Sequence, residues 1–351
     1  MMRKSSNTKF RLIAVCVAIA ITNALGLGFT RDTKNEEIVS VATASVHSEK
    51  GILNWSKRRS ENEIIHLVHR CSTRDAQYRT YTNSEEDEIA LRGATITVFS
   101  RVTGTPVDSR WEKDVFLREN GHVIVNGTQT FSWARHRQLA WAIVQAGKLG
   151  FLPKLSHIES LADILSAGST IRIWNTQTES TIHDVLHSLP GYVSSEYLAD
   201  KSLKSGDFGV NNGRRVRHED LMDPSFNENE LDLIISTEVF EHIPFPYLAH
   251  RQVHKILKVG GVHVFTVPFG AVPTDSVHAI LYPTGEVSYV GEPIMHGDPV
   301  RPEGVPVFTI FGKEMITKLC KMGFDTYVYD IHIPREGILG QGAVVFIARK
   351  L

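Results

Sequence analysis

The 351-residue sequence predicts an α/β fold built on a mostly parallel sheet. Two short apolar runs, residues 231–236 and 262–267, are rich in β-branched side chains, as strands buried on both faces are. Between them, residues 247–258 place apolar side chains on one helical face, and Gly260 and Gly261 predict the end of that helix. Strand, helix and strand in this order form a βαβ unit, which implies parallel strands and a right-handed crossover.

The loop after the first of these strands combines acidic, aromatic and histidine side chains. Residues 236–242 read Ser-Thr-Glu-Val-Phe-Glu-His. In open parallel sheets, ligands bind beyond the carboxyl ends of the strands. The pattern therefore predicts a polar, acidic loop over a pocket.

Four ordered pieces of this region resemble the class I S-adenosylmethionine-dependent methyltransferases. They are Leu-Asp-Leu at 231–233, Glu-Val-Phe-Glu-His at 238–242, Leu-Lys-Val-Gly-Gly at 257–261 and Thr-Val-Pro at 266–268. The resemblance implies a Rossmann-like sheet with an antiparallel last strand, S-adenosylmethionine as the cofactor, and methyl transfer as the reaction. A nicotinamide-dependent oxidoreductase is less favoured, since it would need a glycine fingerprint that the chain lacks.

The start of this domain is predicted from three elements. Residues 170–174 predict the first strand, 178–189 a helix with Thr178 as its N-cap, and 191–196 the second strand. The resemblance implies that Glu196, at the end of the second strand, accepts hydrogen bonds from the cofactor ribose. A solvated loop carboxylate is the alternative interpretation.

Other cofactor contacts are implied further along the chain. The family carries an acid after its third strand that contacts the adenine amino group, and Asp220 fits that position, with Glu219 as its rival. In the polar loop, Glu238 and Phe240 are further candidates for contact with the cofactor.

The first loop departs from the family pattern. Methyltransferases usually carry Gly-x-Gly-x-Gly there, because glycines let the backbone approach the cofactor. Here residues 175–180 read Asn-Thr-Gln-Thr-Glu-Ser. An uncharacterised branch of type 11-like methyltransferases, similar to this chain at 195–197 and 296–299, also tends to lack the glycines. Either Asn175, Thr176 and Gln177 contact the cofactor through their side chains, or cofactor binding is weak or lost. The second case would make the protein a catalytically inactive binding or scaffold protein.

Methyl transfer is an in-line displacement that mainly requires donor and acceptor to be aligned, with a base only where the acceptor loses a proton. Residues 270–307 are rich in Pro and Gly and lie where such enzymes often build the acceptor site. His296 in this stretch is a candidate base, with an exposed loop histidine as the alternative. His242 is the second catalytic candidate, unless Glu241 and His242 cap the helix that follows. The predicted acceptor is a small-molecule or glycan hydroxyl.

Charge and composition limit the partners and the kinds of site that the sequence predicts. The formal net charge is −1, so nothing predicts a nucleic-acid partner. The sixteen histidines are scattered and no Cys-x-x-Cys pair is present, so we expect no metal site. Cys71 and Cys320 are able to form one disulfide, although two free thiols are the expected state.

The N-terminal segment predicts entry into the secretory pathway. Basic residues precede an apolar stretch, so residues 1–30 are interpreted as a signal-anchor or signal peptide, followed by a polar linker or stalk at 31–60. A buried helix or an organelle presequence is the alternative. Sequons at Asn54 and Asn126 fit a lumenal location, either on a single membrane span or secreted.

The rest of the chain is divided at residue 166. Residues 61–165 predict a small accessory α/β region, and residues 166–351 the methyltransferase-like domain. The accessory elements are predicted as strands at 94–99 and 122–125 and a helix at 131–145. In that helix, Arg135, His136 and Arg137 are interpreted as a solvated face rather than an anion site. Nothing in the sequence predicts an oligomeric state.

Overall fold

The structure is a computed structural model. It describes residues 64–70 (backbone only), 93, 95–112, 121–125, 128–129, 133–166, 170–270, 272–297, 301, 303–339 and 344–351. The predictions for the N-terminal segment, the linker and both sequons lie outside the described residues.

The helices and strands follow one another along most of the described chain. The strands are β1 Ile64–Arg70, β2 Thr95–Ser100, β3 Thr105–Arg110, β4 His122–Val125, β5 Thr128–Gln129, β6 Ile173–Asn175, β7 Tyr192–Ser194, β8 Phe208–Asn211, β9 Arg214–Arg217, β10 Leu231–Thr237, β11 Leu257–Thr266, β12 Ser276–Val277, β13 Ala279–Leu281, β14 Val287–Tyr289, β15 Met295–His296, β16 Val305–Pro306, β17 Thr309–Ile310, β18 Phe324–His332 and β19 Val344–Lys350. The helices are α1 Ala134–Lys148, α2 Ala162–Ser166, α3 Thr181–Leu186, α4 Pro246–Ile256 and α5 Glu314–Lys321, with 3₁₀ turns at Pro153–Leu155, Phe240–His242 and Pro334–Glu336.

The main sheet has seven strands in the order β1-β18-β19-β11-β10-β6-β7. Strands β7, β6, β10 and β11 are parallel, and β19 runs antiparallel to both β11 and β18. This topology confirms the predicted α/β sheet, mostly parallel with an antiparallel last strand. Strand β1 adds a further antiparallel edge beside β18, which the sequence pattern did not predict.

The accessory region shares the core of the sheet domain. On α1, Leu139 and Ile143 are fully buried in one cluster with Ile173, Leu233 and Val264 from the central strands. The predicted boundary at residue 166 therefore does not separate two hydrophobic cores. Strands β2 to β5 form their own antiparallel sheet.

Arg137 corrects the interpretation of α1 as carrying a solvated basic face. Its side chain is fully buried, and its guanidinium donates to the Gly337 carbonyl at 3.0 and 3.2 Å and to the Gly121 carbonyl at 2.9 Å. Burial lowers the pKa of Arg137 to about 9. His136 is buried as well. A charge pattern alone does not show that loop carbonyls satisfy such a group.

Two predicted helix ends are also corrected. Helix α3 begins at Thr181, and its N-cap is Ser180 rather than Thr178, since the Ser180 hydroxyl accepts from the His183 backbone N–H at 3.2 Å. Helix α4 ends at Ile256 and β11 starts at the next residue, so Gly260, with φ of 82°, lies within an irregular strand start.

The described residues include only one of the three cysteines and none of the predicted N-terminal membrane segment. Cys320 is disulfide-bonded, so the expectation of a free thiol there is wrong. The other two cysteines, Cys16 and Cys71, lie outside the described residues. Within those residues, no helix combines the length and apolar character needed to cross a membrane.

Candidate functional site

The strand order of the main sheet reverses between β6 and β10. From β6 the chain continues to β7 on one side, and from β10 to β11 on the other. Open α/β sheets bind ligands at such a switch point, beyond the carboxyl ends of the strands. The predicted site residues Asn175, Glu196 and Glu238 follow or end these strands, so the fold brings them to one end of the sheet.

Glu196 lies directly beside the first loop. Its Oε1 accepts hydrogen bonds from the backbone N–H and the hydroxyl of Thr178, both at 2.7 Å. A short parallel bridge to His218 positions its backbone. A carboxylate has about four acceptor sites, of which Thr178 uses two. The predicted ribose contact of Glu196 is compatible with this geometry and stays a prediction.

The side chains of the first loop point in different directions. Asn175 is buried, and its amide donates to the Tyr192 hydroxyl at 2.9 Å, away from the switch point. The Thr176 backbone N–H donates to Ile235 of β10 at 3.0 Å. The Gln177 amide donates to the Thr237 carbonyl at 3.3 Å and so spans the gap between β6 and β10.

The two rival acids after β9, Glu219 and Asp220, differ in their surroundings. Glu219 is buried, pairs with Arg217 at 2.7 Å, and accepts from the Ser225 backbone N–H at 2.9 Å. Asp220 is only partly buried and accepts from the Met222 backbone N–H at 2.8 Å. Burial raises the pKa of Asp220. Glu219 is thus committed to local structure, and Asp220 is the better placed of the two for a ligand.

The two predicted cofactor residues of the polar loop, Glu238 and Phe240, have different surroundings. Glu238 is half-buried and has φ of 50°, and its backbone N–H donates to Thr266 at 3.0 Å. Non-glycine residues held in this region concentrate at functional sites. Phe240 is fully buried and stacks on His250 with ring centroids 4.1 Å apart. The predicted cofactor contact of Phe240 is therefore corrected, because its ring fills the core beneath the loop.

The two catalytic candidates, His242 and His296, lie side by side although 54 residues separate them in the sequence. The His242 Nδ1 lies 2.8 Å from the Pro306 carbonyl, and the His296 Nδ1 lies 3.2 Å from the His242 Nε2. A carbonyl only accepts, so a proton is assigned to Nδ1 of His242, and Nε2 of that ring faces His296. The Glu241 carboxylate is 3.6 and 3.7 Å from these two nitrogens.

The alternative role of Glu241 and His242, capping the following helix, is not what the structure shows. Helix α4 begins at Pro246 with Phe245 as its N-cap, and no side chain caps it through a hydrogen bond. Proline at the first turn needs no partner for a backbone N–H.

A further cleft was not predicted from the sequence. It has a volume of about 390 Å³ and lies between α3, β7 and the β8–β9 hairpin. Its lining includes Thr178, His183, Tyr192, Arg214 and Arg215. The basic run Arg-Arg-Val-Arg at 214–217 was the available sequence signal. Thr178 connects this cleft to the Glu196 site.

Residues 193–265 match the family model described as "Methyltransferase domain". This part of the chain is similar in sequence to methyltransferase domains. The match confirms the predicted resemblance and supports S-adenosylmethionine as the cofactor. It spans β7, β10 and α4 and most of β11, together with the loop that holds Glu238, Glu241 and His242.

Two solved structures are similar to this chain over about half of its length. One is an S-adenosylmethionine-dependent methyltransferase from Mesorhizobium loti, with 14% identity, 54% of this chain and 95% of that chain covered, and a TM-score of 0.34. The other is a putative S-adenosylmethionine-dependent methyltransferase from Listeria monocytogenes, with 12% identity, 54% and 96% covered, and a TM-score of 0.32. No curated protein sequence matches this chain.

The polar groups at the switch point fit the methyltransferase cofactor. The Thr176 hydroxyl is buried and has no hydrogen-bond partner among the described residues. A buried polar group of this kind calls for a partner, which a bound ligand is able to supply. With the carboxylates of Glu196 and Asp220, it offers polar contacts for the hydroxyl and amino groups of the cofactor.

Proposed function

We propose that this protein is an S-adenosylmethionine-dependent methyltransferase of the secretory pathway, acting on a hydroxyl of a small molecule or glycan. The observation that carries the proposal is the position of Glu196, held beside the first loop by two hydrogen bonds from Thr178. It is supported by the methyltransferase-domain match at residues 193–265.

In this proposal the chain's residues hold the two reactants. Glu196 accepts from the ribose hydroxyls, Asp220 accepts from the adenine amino group, and the Thr176 hydroxyl binds near the methionine part. The cofactor supplies a methyl group that its sulfonium activates for in-line displacement. His242 and His296 lie on the acceptor side, where an imidazole is able to take a proton from a hydroxyl.

The decisive experiment is a calorimetric titration of the full chain with S-adenosylhomocysteine. We expect micromolar binding by the wild type and at least roughly tenfold weaker binding by Glu196→Gln and Asp220→Asn, since each loses a charged acceptor. Glu228→Gln is the matched control, because that glutamate is exposed and forms its ion pair with the exposed Lys255. Folded wild-type protein that does not bind at high micromolar concentration would refute the proposal.

The secretory location is supported by the disulfide at Cys320, because disulfides persist mainly in oxidising compartments. The basic and apolar N-terminal sequence supports it as well. The test is expression in eukaryotic cells, followed by glycosidase treatment and protease protection of microsomes. We expect protection from protease and a glycosidase-sensitive shift that Asn54→Gln and Asn126→Gln together remove. Unshifted, protease-sensitive protein would contradict this location.

The second candidate is a catalytically inactive binding or scaffold protein. It is favoured by the first loop, where Gln177 spans the switch point and Asn175 turns toward Tyr192. If Gln177 excludes the cofactor, Gln177→Gly should create or strengthen S-adenosylhomocysteine binding. In an active methyltransferase, wild type binds without this change, and methyl transfer to a hydroxylated acceptor is detectable.

A further inference from the structure

We infer that Glu241, His242 and His296 form a binding site for a first-row divalent transition-metal ion. Three potential ligand atoms converge there: Oε1 of Glu241, Nε2 of His242 and Nδ1 of His296. The two nitrogens are 3.2 Å apart, and the carboxylate oxygen is 3.6 and 3.7 Å from them. The scattered histidines of the sequence predicted no metal site, so this inference comes from the tertiary structure.

The size of this triangle matches metal coordination. A triangle with sides of 3.2, 3.6 and 3.7 Å has a circumradius of about 2.0 Å, close to the usual zinc–imidazole and zinc–carboxylate distances. An ion at the centre would contact all three atoms with little movement of their side chains. A larger ion such as Ca²⁺ would have to lie well out of the plane.

The donor set favours a transition metal. Imidazole nitrogen suits ions such as Zn²⁺, Co²⁺ or Fe²⁺, whereas Mg²⁺ and Ca²⁺ prefer oxygen. The contact between His242 Nδ1 and the Pro306 carbonyl, at 2.8 Å, leaves the Nε2 lone pair directed toward the cluster. Metal-binding histidines typically donate their second N–H to such a carbonyl, which sets the ring's tautomer and orientation.

Burial and charge agree with this assignment. The Glu241 side chain is fully buried, whereas each histidine side chain is 17% exposed. Burying an ionised carboxylate is costly, and a divalent cation within bonding distance offsets that cost. The partial exposure of the two histidines leaves a route by which an ion reaches the cluster.

The backbone around Glu241 and His242 is held by the segment that follows β15. The Phe308 N–H donates to the Glu241 carbonyl at 2.7 Å, two residues beyond the Pro306 carbonyl that binds His242. The loop and this segment are thus joined at two adjacent positions, which fixes the side chains that a rigid metal site requires.

The third ligand is positioned by a small hairpin. His296 pairs with Val305 across β15 and β16. Gly304, just before β16, has φ of 81°, and a Cβ at that position would lie 2.5 Å from the His296 carbonyl oxygen. Only glycine allows this close approach, so Gly304 permits the hairpin geometry that positions His296.

The site lies on the proposed acceptor side. Glu241 and His242 follow β10, and His296 belongs to the same segment as Arg301. The Arg301 guanidinium donates to the Tyr197 carbonyl at 2.9 Å, next to Glu196. Three protein ligands leave a further coordination position for water or an acceptor oxygen. A role in orienting that oxygen rests on the proposed function and would replace proton transfer by His242, because both of its ring nitrogens are then engaged. Binding of the ion does not rest on the proposed function.

The test is titration of the full, chelator-treated chain with Co²⁺, followed by visible absorption, and with Zn²⁺ by calorimetry. We expect one ion per chain at the cluster and at least tenfold weaker binding by His242→Ala and His296→Ala. His187→Ala is the matched control, because His187 is exposed and lies near His183, with ring centroids 5.7 Å apart. We expect that variant to bind like the wild type.

Several outcomes would overturn the site. They are a folded wild type that binds no Co²⁺ or Zn²⁺ at high micromolar concentration, unchanged binding by His296→Ala, and preferential binding of Mg²⁺. His296 is on a surface hairpin, so this variant should keep its fold, which circular dichroism checks. Parallel titration with S-adenosylhomocysteine separates the proposals. Metal without cofactor binding refutes only the methyltransferase function, and cofactor without metal binding refutes only the ion site.

Discussion

Glu196, just after β7, accepts two hydrogen bonds from Thr178, in the loop that follows β6. One comes from the backbone and the other from the hydroxyl, so the acid holds both the main chain and the side chain of a loop that lacks glycine. The carboxylate expected to bind ribose therefore also shapes the loop expected to contact the methionine part. Cofactor binding and loop order should be coupled through this pair.

Thr178→Val removes the hydroxyl donor and retains the backbone one. We expect S-adenosylhomocysteine binding to weaken about fivefold and the free energy of unfolding to fall by about 1 kcal/mol, the usual contribution of one hydrogen bond. Calorimetry and urea unfolding measure the two effects. Thr274→Val, at an exposed threonine, serves as the control. Equal behaviour of the two variants would show that the Thr178 hydroxyl does not order the loop.

Ser180→Ala should shorten or fray α3, because the Ser180 hydroxyl caps its first turn. We expect a loss of about 1 kcal/mol in the free energy of unfolding, and Ser180→Asp should restore most of it. Urea unfolding measures both variants. Similar stability of the alanine and aspartate proteins would contradict a capping role.

Arg137→Met should destabilise the protein by about 3 kcal/mol, because it leaves the buried carbonyls of Gly121 and Gly337 without their charged donor. Arg135→Met, at the half-buried neighbour whose guanidinium lies over Trp133, should cost less than about 1 kcal/mol. Chemical unfolding of both variants provides the comparison. A loss below about 1 kcal/mol for Arg137→Met would mean that the carbonyls find other partners.

Stability should decline in acid because His250 and His263 are buried. Burial lowers the pKa of His250 to about 3 and that of His263 well below 6.5. Below pH 6.5 the unfolded chain binds protons that the native state excludes. The free energy of unfolding therefore falls as pH decreases, by up to about 1.4 kcal/mol per pH unit for each histidine.

His250→Phe tests this pH dependence, since the ring lies between Phe240 and Phe265 and a phenyl group has similar neighbours to contact. We expect the slope of unfolding free energy against pH, measured between about pH 4 and 6 by urea unfolding, to flatten by about 1.4 kcal/mol per unit. His187→Phe, at an exposed histidine, should keep the wild-type slope. An unchanged slope in the His250 variant would show that this group does not titrate on unfolding.

The local pattern of the chain predicted much of the sheet. The apolar runs at 231–236 and 262–267 match β10 and most of β11. Such runs are informative because strands buried on both faces need continuous apolar side chains. Helix ends were less accurate, since Thr178 and Ser180 are both good N-caps and only the contact with Glu196 separates their roles.

The site was predicted only as separate candidates. Position along the chain indicated Glu196 and Asp220, but it did not distinguish Phe240, a core residue, from a ligand contact. All three residues were identified from short motifs, and the spacing of a motif carries no information on which side chains face a cavity. Burial depends on what packs over the loop, and here that includes His250 of α4.

By itself, the sequence determined the parallel βαβ unit and the likeness to methyltransferases, because these depend on periodicity and short-range motifs. The antiparallel final strand followed only from what that resemblance implies. Only the tertiary structure decided that α1 joins the main core, that Arg137 is buried, and that Glu241, His242 and His296 meet. Those relationships join residues far apart in the sequence, as in the contact between Arg137 and Gly337, 200 positions apart. Such contacts form only when the complete fold brings distant loops together, so local conformational preferences of the sequence do not predict them.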